Sequence, residues 1–455
     1  MTRSGIGVSR HFHLALVALC ALCACIVVSA ASAEAKPKQG GEPVPLIFVH
    51  GQSGSAQQFE SNAMRFNSNG YPHDRVFVYE YDTNSSSNDV AIANLDGFIA
   101  DVKTKTGAAK VDVLAHSRGT SVMHAYLSTP ARAEQVRRYV NFDGRTSATE
   151  PGGVPTIAIW GEGDQTREIG GAENVYFPEK AHTEVTTSSA AFADVYEFLA
   201  GEEPKTRRVT PEPPGQVRVA GRSALFPANT GYEGARLEIY RVDAATGARI
   251  GAPRHAITLG ADGAFGPFKL NGRKHYEFVV SKEGQSTIHN YPEPFERSDY
   301  FYRVLTAPAL VPFIETGPNH TSIAVTRMRE FWGDQADPAL NDRLEFDGNN
   351  MLTPAITPRA RRVIALFNFD KGSDGVTDTS AALFPFSVLA FLSGVDNYLP
   401  ASPDGSGTIA VKETMRNPGG HETTINVPNW PSSEHTVSVY LKDYAASSFP
   451  GHGGP

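Results

Sequence analysis

One short turn constrains the fold of this chain more than any other segment. The apolar run at residues 111–114 predicts a buried strand, and the pentapeptide Ala-His-Ser-Arg-Gly at residues 115–119 follows it directly. A small residue two positions before Ser117 and a glycine two positions after it suit a sharp strand-to-helix turn, where larger side chains would clash. Such a turn places the Ser117 hydroxyl at the N-terminus of a helix, whose dipole favours a developing negative charge. The pattern predicts that Ser117 is a nucleophile.

A second strand and loop, upstream of this turn, complete the pattern. Residues 45–49 form a continuous apolar run of the kind found in parallel strands that are buried on both faces. His50, Gly51 and a loop of small residues follow this run. Enzymes with a serine on such a turn place the other half of their oxyanion hole after this strand. We therefore expect the backbone N–H groups of Gln52 and Arg118 to hold an oxyanion.

The pattern of predicted helices and strands changes near residue 201. Before it, short apolar runs alternate with helical stretches, which predicts a parallel sheet with helices on both faces. After it, alternating strands and turn residues predict an all-β region of one or two sandwich or barrel units. The predicted division is a signal peptide at 1–33, an α/β catalytic domain at 34–201, a proline-rich linker at 202–216, a β-sandwich-like domain at 217–305 and a second β domain at 306–455.

The N-terminus predicts export. Arg3 and Arg10 precede an apolar stretch at residues 14–30, and Ala-Ser-Ala at residues 31–33 is a typical cleavage site. All three cysteines lie in this stretch, at positions 20, 23 and 25, so the mature chain would have none. The segment around Cys23 loosely resembles a lipoprotein box, but apolar residues continue past Cys25, which favours secretion over a lipid anchor.

The charge of the chain bears on its partners. Removal of residues 1–33, which carry two arginines and no acid, takes the formal net charge from −8 to −10. This acidic balance argues against nucleic-acid binding. We expect a monomer whose partner is a lipid or ester substrate.

The base and the acid of a triad follow the serine in the order Ser, Asp or Glu, His. His182 lies just past the last predicted strand and before the closing helix, which suits the base. Two aspartates are candidates for the acid, because Asp143 and Asp164 each follow a predicted strand. Spacing alone favours Asp164, since the acid most often follows the penultimate strand, and the choice stays open at this point.

Several longer segments resemble a known family. They include Phe-Val-His-Gly at 48–51, Asn-Gly-Tyr-Pro at 69–72, Tyr-Glu-Tyr-Asp-Thr at 79–83, Asp-Gly at 143–144, Asn-Val-Tyr-Phe at 174–177 and Ile-Ala-Val-Lys at 409–412. In these segments the chain is similar to the lipase/esterase family of α/β-hydrolases, in particular to lipases of the Archaeoglobus type with a C-terminal β domain. The resemblance implies a carboxylester hydrolase with the triad Ser117, Asp143 and His182, and it implies no cofactor and no metal ion.

The chain departs from that family in one place. Between residues 82 and 107 the family has a long helical insertion that acts as a lid, whereas this chain has a short polar loop and one helix. We therefore expect an open site. The β region either stabilises the catalytic domain or contacts a lipid interface. Two alternatives stay open: a non-catalytic binding or adhesion protein that uses its β domains, and an amidase or acyltransferase with the same triad.

Overall fold

Six parallel strands form a twisted sheet in the first part of the chain. The computed structural model describes residues 42–416 and 421–445. The strands of this sheet are β1 (Leu46–Val49), β2 (Val76–Tyr79), β3 (Val111–His116), β4 (Val136–Phe142), β5 (Thr156–Trp160) and β6 (Glu173–Tyr176). Their spatial order is β2-β1-β3-β4-β5-β6, and every neighbouring pair is parallel. The carboxyl ends of β3, β4 and β5 therefore meet at one edge of the sheet.

Helices cover both faces of this sheet. They are α1 (Glu60–Ser68), α2 (Asp89–Thr106), α3 (Arg118–Leu127), α4 (Pro130–Ala133), α5 (Glu184–Thr187) and α6 (Ser189–Ala200). Successive residues of a strand point to opposite faces; accordingly Phe48 packs with α1 and α6, whereas Val49 packs with α2 and α3. The arrangement is that of an α/β-hydrolase and confirms the predicted fold class.

The remainder of the described chain is built from β-strands. These are β7 (Arg218–Leu225), β8 (Thr230–Gly231), β9 (Arg236–Val242), β10 (His255–Thr258), β11 (Ala264–Lys269), β12 (His275–Ser281), β13 (Thr287–Pro292), β14 (Asp299–Thr306), β15 (Ile323–Arg327), β16 (Arg343–Phe346), β17 (Asn349–Asn350), β18 (Ala365–Phe369), β19 (Leu392–Asp396), β20 (Thr408–Thr414), β21 (Glu422–Pro428) and β22 (His435–Leu441). We call residues 217–445 the β region and residues 43–200 the N-terminal part. The all-β character of this region was also predicted.

One long sheet runs through the whole β region. Its eight strands follow the order β10-β9-β12-β13-β22-β15-β18-β19, and the parallel pair of β13 with β22 joins its two halves. Two smaller sheets, β11-β7-β14 with β8 on β7 and β17-β16-β20-β21, pack nearby. The predicted boundary near residue 306 therefore separates strands that share one sheet. The division into domains stays a prediction.

The N-terminal part and the β region are packed together, and from Pro43 on the chain forms one compact unit. The ring of Phe301 in β14 meets that of Phe48 in β1 edge-on, with 6.2 Å between centroids. Glu80, just after β2, bonds Arg222 and Arg303 of the β region at 2.7 and 2.8 Å. Burial would raise the pKa of Glu80, but Arg303 and Arg222 outweigh it and lower the pKa. The carboxylate is therefore ionised in this interface.

The predicted signal peptide, its predicted cleavage site and the three cysteines lie outside the described residues. Within the part that the structure describes, no helix is both long enough and apolar enough to cross a membrane.

Candidate active site

Ser117 lies on a strained turn between β3 and α3. Its φ and ψ angles are 52° and −121°, a left-handed conformation that costs energy for a residue with a side chain. The turn is also crowded, since a Cβ atom on Gly119 would lie 2.5 Å from the carbonyl oxygen of Val49. Glycine is therefore required two positions after the serine. Strain of this kind is common at functional sites and keeps the Ser117 side chain clear of the sheet.

His182 and Asp143 are in direct contact. Asp143 follows β4, and His182 follows β6 in the loop before α5. The imidazole Nδ1 of His182 donates to Oδ2 of Asp143 at 2.5 Å, and both side chains are buried. This is the contact that an acid and a base of a triad make, because it fixes the tautomer that leaves Nε2 free.

Further groups hold the Asp143 carboxylate in place. Its Oδ1 atom accepts from the backbone N–H of Gly161 and pairs with the Arg167 guanidinium, both at 2.9 Å. Burial would raise the pKa of Asp143, but the bond from His182, together with Gly161 and Arg167, lowers it to about 2. The carboxylate is therefore charged at neutral pH. Arg167 lies between β5 and β6, and no local pattern in the sequence indicated its contact with Asp143.

The second candidate acid lies elsewhere. Asp164 is exposed, and its Oδ1 atom accepts from the backbone N–H and the hydroxyl of Thr166, at 2.8 and 2.7 Å. These bonds close a local turn of the type that aspartate often makes. The structure thus brings Asp143 to His182, and it leaves Asp164 in a turn at the surface.

His116, the neighbour of the serine, links the turn to the base. Its Nε2 donates to the backbone carbonyl of His182 at 2.9 Å, and the two rings are 4.5 Å apart. On its other side, Nδ1 contacts the side-chain amide of Gln58. Burial, then the nearby His182, lowers the pKa of His116 well below its ordinary value. His116 is therefore neutral and has a structural role. Within the described residues, no hydrogen bond joins the Ser117 hydroxyl to His182.

The β region forms hydrogen bonds with the backbone next to His182. Glu330, which is fully buried, accepts hydrogen bonds from the backbone N–H groups of Thr183 and Glu184, the latter at 3.0 Å. The Glu184 side chain in turn bonds Arg329 at 3.0 Å and Arg416 at 2.8 Å. Burial would raise the pKa of Glu184, but these two arginines lower it to about 2. Two residues after the histidine the chain is thus anchored to the β region, which the sequence did not indicate.

The predicted oxyanion donors lie in the loop after β1 and in the first turn of α3. In the described residues the backbone N–H groups of Gln52 and Arg118 have no protein acceptor; that of Arg118 belongs to the first turn of α3, where N–H groups are free. The two side chains are bonded as well, since Arg118 Nη1 donates to Gln52 Oε1 at 2.6 Å.

The Arg118 side chain also orders the polar loop at residues 83–88. Its guanidinium donates to the carbonyl oxygens of Thr83 and Ser85 at 3.1 and 2.6 Å, and to Asn88 Oδ1 at 2.9 Å. The polar loop is therefore tied to the residue that follows Ser117. The sequence predicts only that this loop is short and polar.

A cavity of about 360 Å³ extends from Ser117 into the β region. Its walls are largely apolar; they include Phe226, Ile288, Leu305, Met328, Ile364 and Val439. Phe391, from the loop before β19, stacks over the imidazole of His182. The expectation of an open site took no account of the β region, whose strands and loops form most of these walls. The lining residues lie far from Ser117 in sequence, so no local pattern could place them.

Comparison with known families agrees with this architecture. Residues 43–134 match the model for lipase (class 2), residues 215–308 match the lipase C-terminal domain, and residues 310–445 match a further C-terminal domain. The N-terminal part and the first portion of the β region thus each match a lipase model, which supports a hydrolase of the lipase and esterase type.

Several solved structures are also similar. A gene product of Listeria innocua is 14% identical with a TM-score of 0.29, covering 36% of this chain and 97% of that chain. A predicted CIB-like hydrolase from Thermoplasma acidophilum is 14% identical with a TM-score of 0.28, covering 36% and 89%. Aspergillus fumigatus lipase B is 15% identical with a TM-score of 0.29, covering 39% and 56%. At these scores, none of the three bears on what the protein acts on.

Proposed function

We propose that this protein is a secreted serine carboxylester hydrolase that cleaves acyl esters through an acyl-enzyme. The observation that carries the proposal is the buried His182–Asp143 hydrogen bond beside the Ser117 turn, at the end of an apolar cavity. Ser117, Asp143 and His182 have the chain order of a serine hydrolase triad, and Asp143 and His182 make the contact of its acid and base.

The reaction proceeds in two halves. Ser117 Oγ attacks the ester carbonyl carbon while its proton passes to His182 Nε2, and the tetrahedral intermediate then expels the alcohol, which takes that proton. Water next attacks the acyl-enzyme, gives its proton to the same nitrogen, and the acid leaves as Ser117 Oγ recovers the proton. Asp143 stabilises the imidazolium in both halves, and the N–H groups of Gln52 and Arg118 stabilise the oxyanion. No cofactor takes part in this scheme.

The cavity supports an acyl chain as the part of the substrate that is bound. Its volume of about 360 Å³ lies within the usual range for small-molecule sites, about 300–1,000 Å³. The transfer of an acyl chain from water to these apolar walls is favourable by about 0.8 kcal/mol for each methylene group. Esters of medium and long fatty acids are therefore favoured over acetate esters.

Export is supported by the charged, apolar and small-residue segments at residues 1–33. N-terminal sequencing of protein recovered outside the producing cell is expected to begin at Glu34. A mature chain that begins at a lipid-modified cysteine instead would show the lipoprotein alternative.

Hydrolysis of a chain-length series of soluble esters tests the proposed reaction. We expect turnover by the wild-type protein that rises with acyl length, and a loss of about 10⁶-fold in Ser117→Ala. Matched amides and an added acceptor alcohol distinguish an amidase or acyltransferase. A folded protein that turns over none of these would favour the binding or adhesion alternative and contradict the proposal.

A further inference from the structure

Two loops of the β region expose large apolar side chains to solvent. We call residues 307–314 the first apolar loop and residues 381–391 the second apolar loop. Phe384 and Val388 of the second loop are 77% and 72% exposed. In the first loop, Val311 and Phe313 are 54% and 46% exposed. Neither loop contains a charged residue, although charged residues make up 20% of the whole chain. An exposed, uncharged cluster of this size is uncommon on a soluble surface that has no partner.

The two loops form one surface. Leu383 and Phe386 of the second loop are buried in a small core, and Leu310 and Ile314 of the first loop pack against that same core. The second loop is also held from below, because the Arg361 guanidinium donates to the carbonyl oxygens of Phe386 and Leu392. The buried members of each loop therefore fix the exposed members in place. The exposed apolar side chains of the two loops therefore belong to an ordered part of the structure.

This surface is continuous with the active-site cavity. Val311 lines the cavity and is also half exposed, so the cavity reaches solvent at the first apolar loop. Phe391, at the end of the second apolar loop, lines the cavity as well and stacks over His182. A molecule that crosses these loops enters the space that leads to Ser117 without meeting a charged group of either loop.

Charged groups lie at the base of the second apolar loop instead of its tip. Arg359, Arg361 and Arg362 line a shallow depression next to Val388 and Leu389, and Glu162 and Asp334 line it too. Glu162 pairs with Arg359 at 2.6 Å and with Arg362 at 3.4 Å. The local charge is thus only slightly positive. An apolar tip above a polar base is the pattern of a protein segment that enters the boundary between headgroups and acyl chains.

From these observations we propose that the two apolar loops are the docking surface for an aggregated lipid phase and that an acyl chain passes from that phase over Val311 into the cavity. The loops contain no exposed strand edge, which argues against a partner that adds a strand. The near-neutral base indicates that zwitterionic lipid is sufficient. This proposal depends on the proposed function only for the direction of substrate entry, since the binding itself needs no catalysis.

Binding is measured by flotation of the mature chain, which begins at Glu34, with phosphatidylcholine vesicles. Ser117→Ala is the background in every sample, so the result is independent of the proposed reaction. The test variant is F313S/F384S/V388S, whose three side chains lie outside the cavity lining. The matched control is V90S/I250S/L340S, which removes three exposed apolar side chains elsewhere on the described surface. None of the samples therefore contains the apolar stretch at residues 14–30, which would itself bind vesicles.

We expect the test variant to lose at least about tenfold in vesicle affinity and the control to bind like the background protein, because interfacial binding scales with buried apolar area. Raising the salt concentration from about 0.1 to 1 M should change the affinity of the background protein by less than about twofold. With Ser117 restored, the test variant should keep its rate on a soluble short ester and lose about tenfold on a triglyceride emulsion.

Three results would overturn the proposal. These are no vesicle binding by the background protein, an equal loss in test and control variants, or binding that requires anionic lipid and disappears at high salt. A background protein that is dimeric in solution, with a monomeric test variant, would instead identify the loops as an interface between two copies of this chain. Failure of the ester hydrolysis alone leaves the vesicle result intact and counts against the proposed function only.

Discussion

The ring of Phe391 lies almost parallel to the imidazole of His182, at an angle of 14° and with 6.0 Å between the two centroids. Phe391 belongs to the β region and has a φ angle of 69°, which is strained for a bulky residue. The phenyl ring limits the space in which the imidazole can tilt. The β region thus contributes directly to the position of the proposed base.

Phe391→Gly tests this contact. Glycine accepts a positive φ without strain, so the backbone can stay in place while the ring is removed. We expect the melting temperature to change little and kcat on a soluble ester to fall about tenfold, since His182 gains freedom that a positioned base lacks. A variant with unchanged kcat would show that the ring is only part of the cavity wall.

The choice of acid is tested by two asparagine substitutions. In Asp143→Asn the amide cannot stabilise the imidazolium and favours the wrong tautomer of His182, so turnover should fall about 10⁴-fold. Asp164→Asn changes only a surface turn and should cost at most about 1 kcal/mol of stability. Both variants are compared on one soluble ester at one pH. A crippled Asp164→Asn beside a near-normal Asp143→Asn would reverse the assignment.

Glu330 is expected to position the loop that carries His182. In Glu330→Gln only one of the two side-chain atoms can accept, so one N–H of Thr183 or Glu184 loses its partner, at a cost of about 1–3 kcal/mol. We expect kcat to fall about tenfold with little change in KM, measured where the variant is fully folded.

The matched control for Glu330 is Glu277→Gln. Glu277 is equally buried, and it bonds Arg249, His289 and Tyr291 within the β region. This variant should lose comparable stability without a change in kcat. If both variants lower kcat to the same extent, Glu330 acts through overall stability and not through the histidine loop.

A buried carboxyl group predicts a pH dependence of stability. Burial raises the pKa of Asp443 from 3.8 to about 6, although Arg65 opposes the shift. The folded state therefore holds this proton more tightly than the unfolded state, and the contribution of Asp443 to stability falls as pH rises from about 4 to 6. Asp443→Asn should gain roughly 3 kcal/mol relative to wild type over that window. Urea unfolding of both chains at pH 4 and 7 measures this difference, and a constant difference would contradict it.

Local patterns predicted the turn at Ser117, the parallel sheet and the strand-rich C-terminal region. These features depend on residues that are close in sequence, such as Ala115 and Gly119, the small residues that the crowded turn at Ser117 requires. The helix that was predicted after the serine begins at Arg118, the residue that directly follows it.

Contacts between distant segments could not be predicted in this way. Spacing alone favoured Asp164. It does not reveal that β4 and β5 end at the same edge of the sheet, where the Asp143 carboxylate accepts from the backbone N–H of Gly161. Glu330 and Phe391 lie about 150 and 210 positions after His182, and only the packing of the β region brings them to it. The apolar sequence of the two loops is visible in the chain, but its exposure is not.

The most direct test of the central claim is covalent labelling of Ser117. A fluorophosphonate phosphonylates a hydroxyl that is activated by a triad, with loss of fluoride, and the adduct is located by mass spectrometry of the intact chain and its peptides. We expect one adduct on the peptide that contains Ser117, none in Ser117→Ala, and strongly slowed labelling in Asp143→Asn. Labelling at another residue, or a folded wild-type protein that stays unlabelled, would contradict the account.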